Sequence, residues 1–438
     1  MNRAEFIKSI SLLGLSASLV PSVAFQANKN PNQTIGVIGA GISGLYLADM
    51  LKRQGHEVIV LEAKDRAGGR IYENKSFFSS PIDLGAQWIH GHDNELYKLT
   101  KKSKTPVYVD KKNKSIKVLY KGLLLDDFPS EFYEFIKSLQ LKTPLKNDIS
   151  VLHYAKQFNN DTNFLELIEN VLTDTTTKAE NFSANEISMM TKQLDPVDYQ
   201  FTNTTMYGFI QKRFVDRLKD EIVYNFPVRS IDYTGSLIKV FNAENKSYEF
   251  DKIIITIPIT ILKSDNIDFA PELPTDKKKA FEFIGMDKGL KLFLKFEKQF
   301  FNHSIFNGKY AGYYIDPTKK GGSSQSLLTS LVMGVKADMY YDNPRKAIEN
   351  YLRELDTIFD GRASKYYIDR LAQDWGAESY INGVYSYTKP GGTSAREIAR
   401  KPINNKVFFA GEAMNTKKDY GTVHGAIDSA IQVLHELS

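Results

Sequence analysis

The stretch that most constrains this chain is Thr34 to Glu62, where a β-branched run, three spaced glycines, an apolar-faced segment and a second β-branched run follow without a gap. Thr34 to Ile38 suits a buried parallel strand. Gly39, Gly41 and Gly44 then fall on the G-x-G-x-x-G spacing, directly after that strand and at the start of a helix, which is the context a dinucleotide fingerprint needs. The three glycines do different things. Gly39 permits the tight turn, Gly41 lets backbone approach a pyrophosphate, and Gly44 lets helix and strand pack closely. Leu45, Leu47, Ala48 and Leu51 give the helix a broad apolar face, its positive end points at the phosphates, and Gly55 stands where a C-terminal glycine is expected. The second strand, Glu57 to Leu61, ends at Glu62, whose carboxylate is placed to accept from adenosine ribose hydroxyls and to repel a 2′-phosphate. That favours FAD or NAD over NADP. The fingerprint does not choose between flavin and nicotinamide, and taken alone it is also compatible with a glycine-rich turn in another α/β protein.

The 438 residues suffice for two domains with substantial cores. A formal charge of +5 is small for this length and gives no support to nucleic-acid binding; the lysines between Lys98 and Lys121 are scattered among Tyr, Val and Leu as on a solvated face. The chain has no cysteine, which removes disulfides, thiolate metal sites, a cysteine nucleophile and a flavin linked through cysteine sulfur. At the N-terminus, Arg3 and Lys8 precede a small apolar stretch from Ile10 to Val20, and Ser22-Val23-Ala24 fits a cleavage site before Phe25. Residues 1–24 thus read as a signal peptide, similar to a twin-arginine signal lacking its second arginine, and the protein as exported, periplasmic or secreted; the alternative is an uncleaved N-terminal helix. No other segment is long and apolar enough for a membrane span, so none is expected in the mature chain.

Glu62 is followed by Ala63-Lys64-Asp65-Arg66-Ala67-Gly68-Gly69-Arg70, where Gly68 and Gly69 allow a tight turn and Arg66 and Arg70 supply charge-assisted donors to phosphate or flavin. This run resembles the second signature of the flavin amine oxidases, the monoamine and polyamine oxidase family, and that resemblance moves the cofactor from NAD to FAD. Asp83-Leu84-Gly85-Ala86-Gln87-Trp88-Ile89-His90-Gly91 is similar to the family's stretch along the flavin and into the substrate cavity. Gly85 and Ala86 are small enough for a flat ring to lie on the backbone, and Trp88 offers an apolar wall. Trp88-Ile89-His90-Gly91 is most similar to polyamine oxidases, which makes His90 a candidate substrate contact; an ordinary structural histidine is the equal alternative.

Phe132, Phe135, Ile136 and Leu139, and then Phe164, Leu167, Ile168, Val171 and Leu172, fall at helix spacing, so Tyr97 to Met206 reads as mainly helical core. β-Structure is expected to return at Phe226 to Ile231 and to run to Ile257. Leu290, Leu292, Leu294 and Phe296 alternate with Lys291, Phe293 and Lys295 as in a strand, where the pattern alone makes Lys291 a solvated edge lysine.

The resemblance assigns further roles. It implies that Val228 meets the adenine through its backbone, that Lys291 holds a water beside flavin N5, and that Trp375 flanks the flavin. It makes Tyr385 one wall of an aromatic cage, with an ordinary packed tyrosine as the alternative, and places Glu412, after Gly411, at the ribityl and phosphate chain. Thr422 stands where monoamine oxidases have their second cage tyrosine, and Val384 where they have their flavin-linked cysteine, so FAD should be non-covalent. A helix starting near Val423 would aim its positive end at flavin N1.

These readings converge on an α/β fold: a discontinuous FAD-binding, Rossmann-like domain of the glutathione-reductase type from residues 33–96, 206–261 and 374–438, with an inserted α+β substrate domain from 97–205 and 262–373. The expected function is FAD-dependent oxidation of a small-molecule amine, polyamine-type favoured, to an imine that hydrolyses to an aldehyde, with oxygen reduced to hydrogen peroxide and no metal required. Two alternatives stand beside it: another FAD-dependent oxidase or desaturase, and a non-catalytic FAD-containing binding protein. Oligomeric state is not readable from the sequence.

Overall fold

Thr34–Ile38 is the middle strand of a five-stranded parallel sheet, in the order Ile222–Val223, Glu57–Leu61, Thr34–Ile38, Lys252–Ile255, Val407–Phe409. The structure is a computed structural model, and it describes residues 33–110, 116–141, 143–172, 177–190, 197–264, 266–317, 325–417 and 419–437. The segment 1–24, with its expected signal peptide, lies outside the described residues.

The three central strands are apolar and covered on both faces, as parallel strands must be. One cover is the helix Ile42–Arg53, whose Leu45, Leu47, Ala48 and Leu51 are fully buried; each leucine contributes roughly 1.5–3 kcal/mol. Gly55 takes a φ of 89° just past the helix end and turns the chain into Glu57–Leu61. The C-terminal helix Val423–Leu437 packs against Ile42–Arg53, so the two ends of the described chain build one layer. Beside it, Ser247–Phe250, Ile238–Asn242, Val228–Asp232 and Asp268–Ala270 form a second sheet.

The stretch 97–206 is less helical than its periodicity suggests. The helices Ser130–Leu139, Val151–Phe158, Thr162–Leu172 and Ala184–Met190 share one core, but the strands Val107–Val109, Ile116–Tyr120 and Leu123–Leu125 precede them and Asp198–Phe201 follows. Ile116–Tyr120 pairs in parallel with Ser304–Phe306, far along the chain, a partner that local pattern cannot reveal, and with its neighbour Leu123–Leu125 in a hairpin. Leu290–Phe296 corrects the expectation of an edge lysine. It is the central strand of an antiparallel sheet, between Ser326–Val332 and Tyr367–Asp374, and Lys291 is 1% exposed. The architecture is α/β, with a Rossmann-like parallel sheet joined to an α+β remainder. Among the described residues no helix is long and apolar enough to cross a membrane.

Candidate active and cofactor site

One cavity of about 350 Å³ runs from the glycine fingerprint to Lys291 and beyond, within the ~300–1,000 Å³ usual for ligand sites. Of the residues expected to hold a cofactor or react, Gly39, Gly41, Glu62, Gly69, Arg70, Gly85, Ala86, Gln87, Trp88, His90, Val228, Lys291, Trp375, Tyr385, Gly411, Glu412, Thr422 and Val423 line it, whereas Gly44 and Arg66 stand behind the wall.

At one end Gly39 turns the chain with a φ of 104°, held by Thr256, whose hydroxyl donates to Ile38 O at 2.9 Å and Gly39 O at 3.1 Å. A Cβ on Gly44 would lie 2.0 Å from Gly39 O, so only glycine lets helix and turn touch there. A Cβ on Gly41 would meet no protein atom within 4 Å, leaving a cradle at the N-terminus of Ile42–Arg53. Ser43 Oγ, on the first turn of that helix and in the cavity wall, is buried without a protein partner, and so is Arg66 Nη2. Buried donors without partners beside an open cradle at a helix N-terminus fit a pyrophosphate. Arg66 otherwise serves the turn, its Nη1 donating to Gly69 O at 3.0 Å and its guanidinium lying 3.9 Å over the Tyr72 ring.

Glu62 accepts from Ala40 N at 2.7 Å and Lys64 N at 2.9 Å, one bond to each carboxylate oxygen, and each oxygen keeps a further lone pair for a ribose. Burial pushes its carboxyl above the usual range. Val228 lines the cavity beside Phe226 and Pro227. Across from them the segment 376–383 brings Tyr380 and Ile381 to the wall and is tied down by an ion pair between Lys64 and Glu378. With both partners half-buried, Glu378→Ala is expected to speed FAD release about fivefold, the effect of ~1 kcal/mol. Recovery of flavin fluorescence after dilution measures it, and an unchanged rate would mean that the pair does not hold the segment.

Further along, Arg70 Nη1 donates to Val384 O at 2.7 Å and Glu412 Oε1 at 2.9 Å. Glu412 is also held by the protein itself, since its other oxygen accepts from Ser386 Oγ at 2.7 Å and Gly421 N at 2.8 Å. Burial alone would raise its carboxyl, but Arg70, the buried Arg396 and Ser386 outweigh that and hold it below the usual carboxylate range. The carboxylate therefore braces the cavity wall. Gly85 is required for a reason other than a flat ligand: a Cβ there would lie 1.8 Å from Arg70 O. Thr422 likewise spends its hydroxyl locally, donating to Asp419 O at 2.6 Å and accepting from Gly425 N at 2.9 Å, which caps the helix Val423–Leu437. Gly421 lies against Tyr385, where an added Cβ would stand 3.0 Å from Cδ2.

At the far end Lys291 Nζ donates to Asp83 O at 2.8 Å, Gln87 Oε1 at 2.8 Å and Gly85 O at 3.2 Å. These three acceptors account for all three protons of an ammonium, whereas the neutral amine can donate to two of them. Burial lowers its pKa to about 8, against the opposing pull of Asp83. Trp88 lies alongside, its ring centroid 5.5 Å from Nζ. Nδ1 of His90 is fixed by Asp198 Oδ1 at 2.8 Å. Phe306, Tyr313, Ile315 and Leu331 complete an apolar wall.

Sequence reasoning missed Ser43, Thr256, Asp198 and this apolar wall. Ser43 could have been found from its place between Gly41 and Gly44, whereas Asp198 has no local signal.

The family model described as "Flavin containing amine oxidoreductase" matches residues 42–433. Lysine-specific histone demethylase 1B of Mus musculus is 28% identical over 92% of this chain and 52% of its own. Polyamine oxidase 4 of Oryza sativa subsp. japonica is 28% identical over 95% of this chain and 91% of its own. The chain spans about half the length of the first curated relatives it matches, at 52% and 53%. Among solved structures, cyclohexylamine oxidase from Brevibacterium oxydans superposes with a TM-score of 0.80 at 20% identity, over 93% of this chain and 100% of that one. Putrescine oxidase bound to putrescine superposes with a TM-score of 0.80 at 18% identity, over 93% and 99%; at such identities the likeness concerns the fold.

Proposed function

The chain belongs to the family of flavin-containing amine oxidoreductases, and from that membership we propose that it oxidises an amine of the polyamine type. The carbon beside nitrogen loses a hydride equivalent, the nitrogen a proton, and the resulting imine takes up water and releases ammonia or an amine to leave an aldehyde. FAD, when bound, accepts that hydride equivalent and passes two electrons to oxygen, giving hydrogen peroxide.

The observation that carries this reading is the far end of the cavity. Apolar walls from Trp88, Phe306, Tyr313, Ile315, Leu331 and Tyr385 surround it, and the carboxylate of Asp198 stands in the same lining. Such walls disfavour an ammonium, so the reacting nitrogen enters neutral, as hydride loss requires. Among the described residues Arg70 is the one arginine lining the cavity, and it is engaged by Glu412, so none of them offers a free arginine clamp for the carboxylate of an amino acid. Asp198 suits a second, positively charged nitrogen of a longer amine. Lys291 holds or releases a proton at Nζ beside the reacting region, and Tyr385 shapes the entry to it. Gly41, Ser43, Glu62 and the helix Ile42–Arg53 would hold the dinucleotide, non-covalently as far as cysteine is concerned, since the chain has none.

The test is anaerobic mixing of the purified flavoprotein with single amines, following oxidised-flavin absorbance. The panel holds putrescine, spermidine, spermine, an aromatic monoamine, an amino acid and a methyl-lysine peptide. Bleaching is expected with a di- or polyamine and not with the amino acid. Bleaching by the peptide alone would replace the polyamine reading with a peptidyl-lysine one, and no bleaching by any amine, with dithionite still effective, would remove amine oxidation altogether.

A further inference from the structure

Behind the cavity wall lies a chain of hydrogen bonds that the reaction as described does not use. Trp88 Nε1 donates to Asp110 Oδ2 at 2.9 Å, and the same oxygen accepts from Gln200 Nε2 at 2.6 Å. Gln200 Oε1 accepts from Gln87 Nε2 at 3.0 Å, and Gln87 Oε1 accepts from Lys291 Nζ at 2.8 Å. Asp110 and Gln200 are not among the residues lining the cavity.

The direction of this chain is set at its ends. An ionised carboxylate only accepts, and an indole N–H and an ammonium only donate. With Asp110 at one end, Gln200 must turn its NH2 towards the carboxylate and its carbonyl towards Gln87. Gln87 must then turn its NH2 to Gln200 and its carbonyl to Lys291. Remove the carboxylate and both amides can reverse, which would set an N–H of Gln87 against the lysine. Gln87, Gln200 and Lys291 are 5%, 3% and 1% exposed, so amide dipoles act here with little screening.

We propose that Asp110 is a positioning residue, which by ending this chain holds Gln87 Oε1 on Lys291 Nζ, keeps Trp88 in the wall, and so sets the charge with which Lys291 faces the cavity. The kinetic consequence rests on the amine-oxidase reading; the chain's effect on Lys291 does not. Other groups share this region. Asp83 acts on Lys291 electrostatically, the Phe293 ring lies 5.4 Å from Nζ, and Asp110, Asp316 and Asp83 all act on the buried Tyr108 phenol.

The test reads Lys291 without turnover. The chain holds two tryptophans, so Trp375→Phe leaves Trp88 as the sole emitter, 5.5 Å from Nζ. Its emission, with bound-flavin absorbance alongside, is followed from about pH 6 to 10 in the purified flavoprotein, across the range of a depressed lysine. Asp110→Leu is expected to lower the midpoint by about one pH unit, and Asp110→Asn, which can keep an acceptor oxygen towards Gln200 and Trp88, to recover roughly half of that. Gln200→Met cuts the chain but spares the Trp88–Asp110 bond; it should reproduce the Asp110→Leu shift, and it decides the matter if Asp110→Leu does not fold. In a Lys291→Met background the inflection should disappear and Asp110→Leu should add nothing. An unchanged midpoint in Gln200→Met, or the same shift with Lys291 absent, overturns the proposal. A flavoprotein that no amine reduces would end the amine-oxidase reading and leave these midpoints to judge the chain.

Discussion

Lys291→Met is expected to yield a folded flavoprotein that passes electrons from amine to oxygen about 10²- to 10³-fold more slowly, the range for loss of a positioned proton carrier. Folding should survive because Leu290–Phe296 is a central strand held on both edges, and methionine fills a similar apolar volume. Asp83 O, Gly85 O and Gln87 Oε1 lose their shared donor, which destabilises, but a buried cation is removed too, which stabilises. The two terms oppose, and a net loss of about 1–3 kcal/mol is expected. Burial lowers the lysine's pKa to about 8, so the group is mainly ammonium below that pH and neutral above it. The wild-type rate should therefore inflect near pH 8, and the Lys291→Met rate should not. Stopped-flow measurement of anaerobic reduction and of reoxidation by oxygen assigns the loss to one half-reaction. If both stay within about threefold of wild type, where general acid–base roles cost far more, Lys291 is a structural clamp for residues 83–87 and no more.

Gly44→Ala should have the largest effect on the cofactor. The added Cβ would stand 2.0 Å from Gly39 O, 3.0 Å from Thr256 Oγ1 and 3.1 Å from Val37 Cγ1, and the first of these is backbone that cannot swing aside. The helix must lift from the sheet, carrying Ser43 and its own N-terminus away from the Gly41 cradle. Overpacking of this kind costs about 3 kcal/mol or more, and the purified protein is expected to hold no flavin. Gly41→Ala is the control, because its methyl meets no protein atom within 4 Å. It should fold as wild type and lose flavin affinity alone. The flavin-to-protein absorbance ratio and urea denaturation separate the two. A Gly44→Ala protein with stoichiometric flavin would mean that the glycine is not needed for close packing.

The fingerprint was legible because strand, turn, helix and terminal acid are contiguous, so their spacing carries the geometry. The burial of Lys291 was not, although the resemblance named the residue, since alternation along Leu290–Phe296 cannot reveal that Ser326–Val332 and Tyr367–Asp374 pair with both its edges. Glu412 and Thr422 show a different limit. Their places in the cavity wall were readable, but not that Arg70, Ser386 and Gly421 occupy the carboxylate, nor that a helix cap occupies the hydroxyl. Asp198 was invisible for a third reason: it reaches the cavity through strand pairing with Ile89–His90, across more than a hundred residues.

The cavity walls come from stretches as distant as Gly39, Val228 and Val423, which meet only in the folded chain. A ligand of that cavity therefore has no site on the unfolded chain, and mass action makes its concentration part of the stability of the protein. Each tenfold rise in free FAD above its dissociation constant deepens the native state by about 1.4 kcal/mol. A cell short of riboflavin would then lose this protein to proteolysis as well as leaving it inactive.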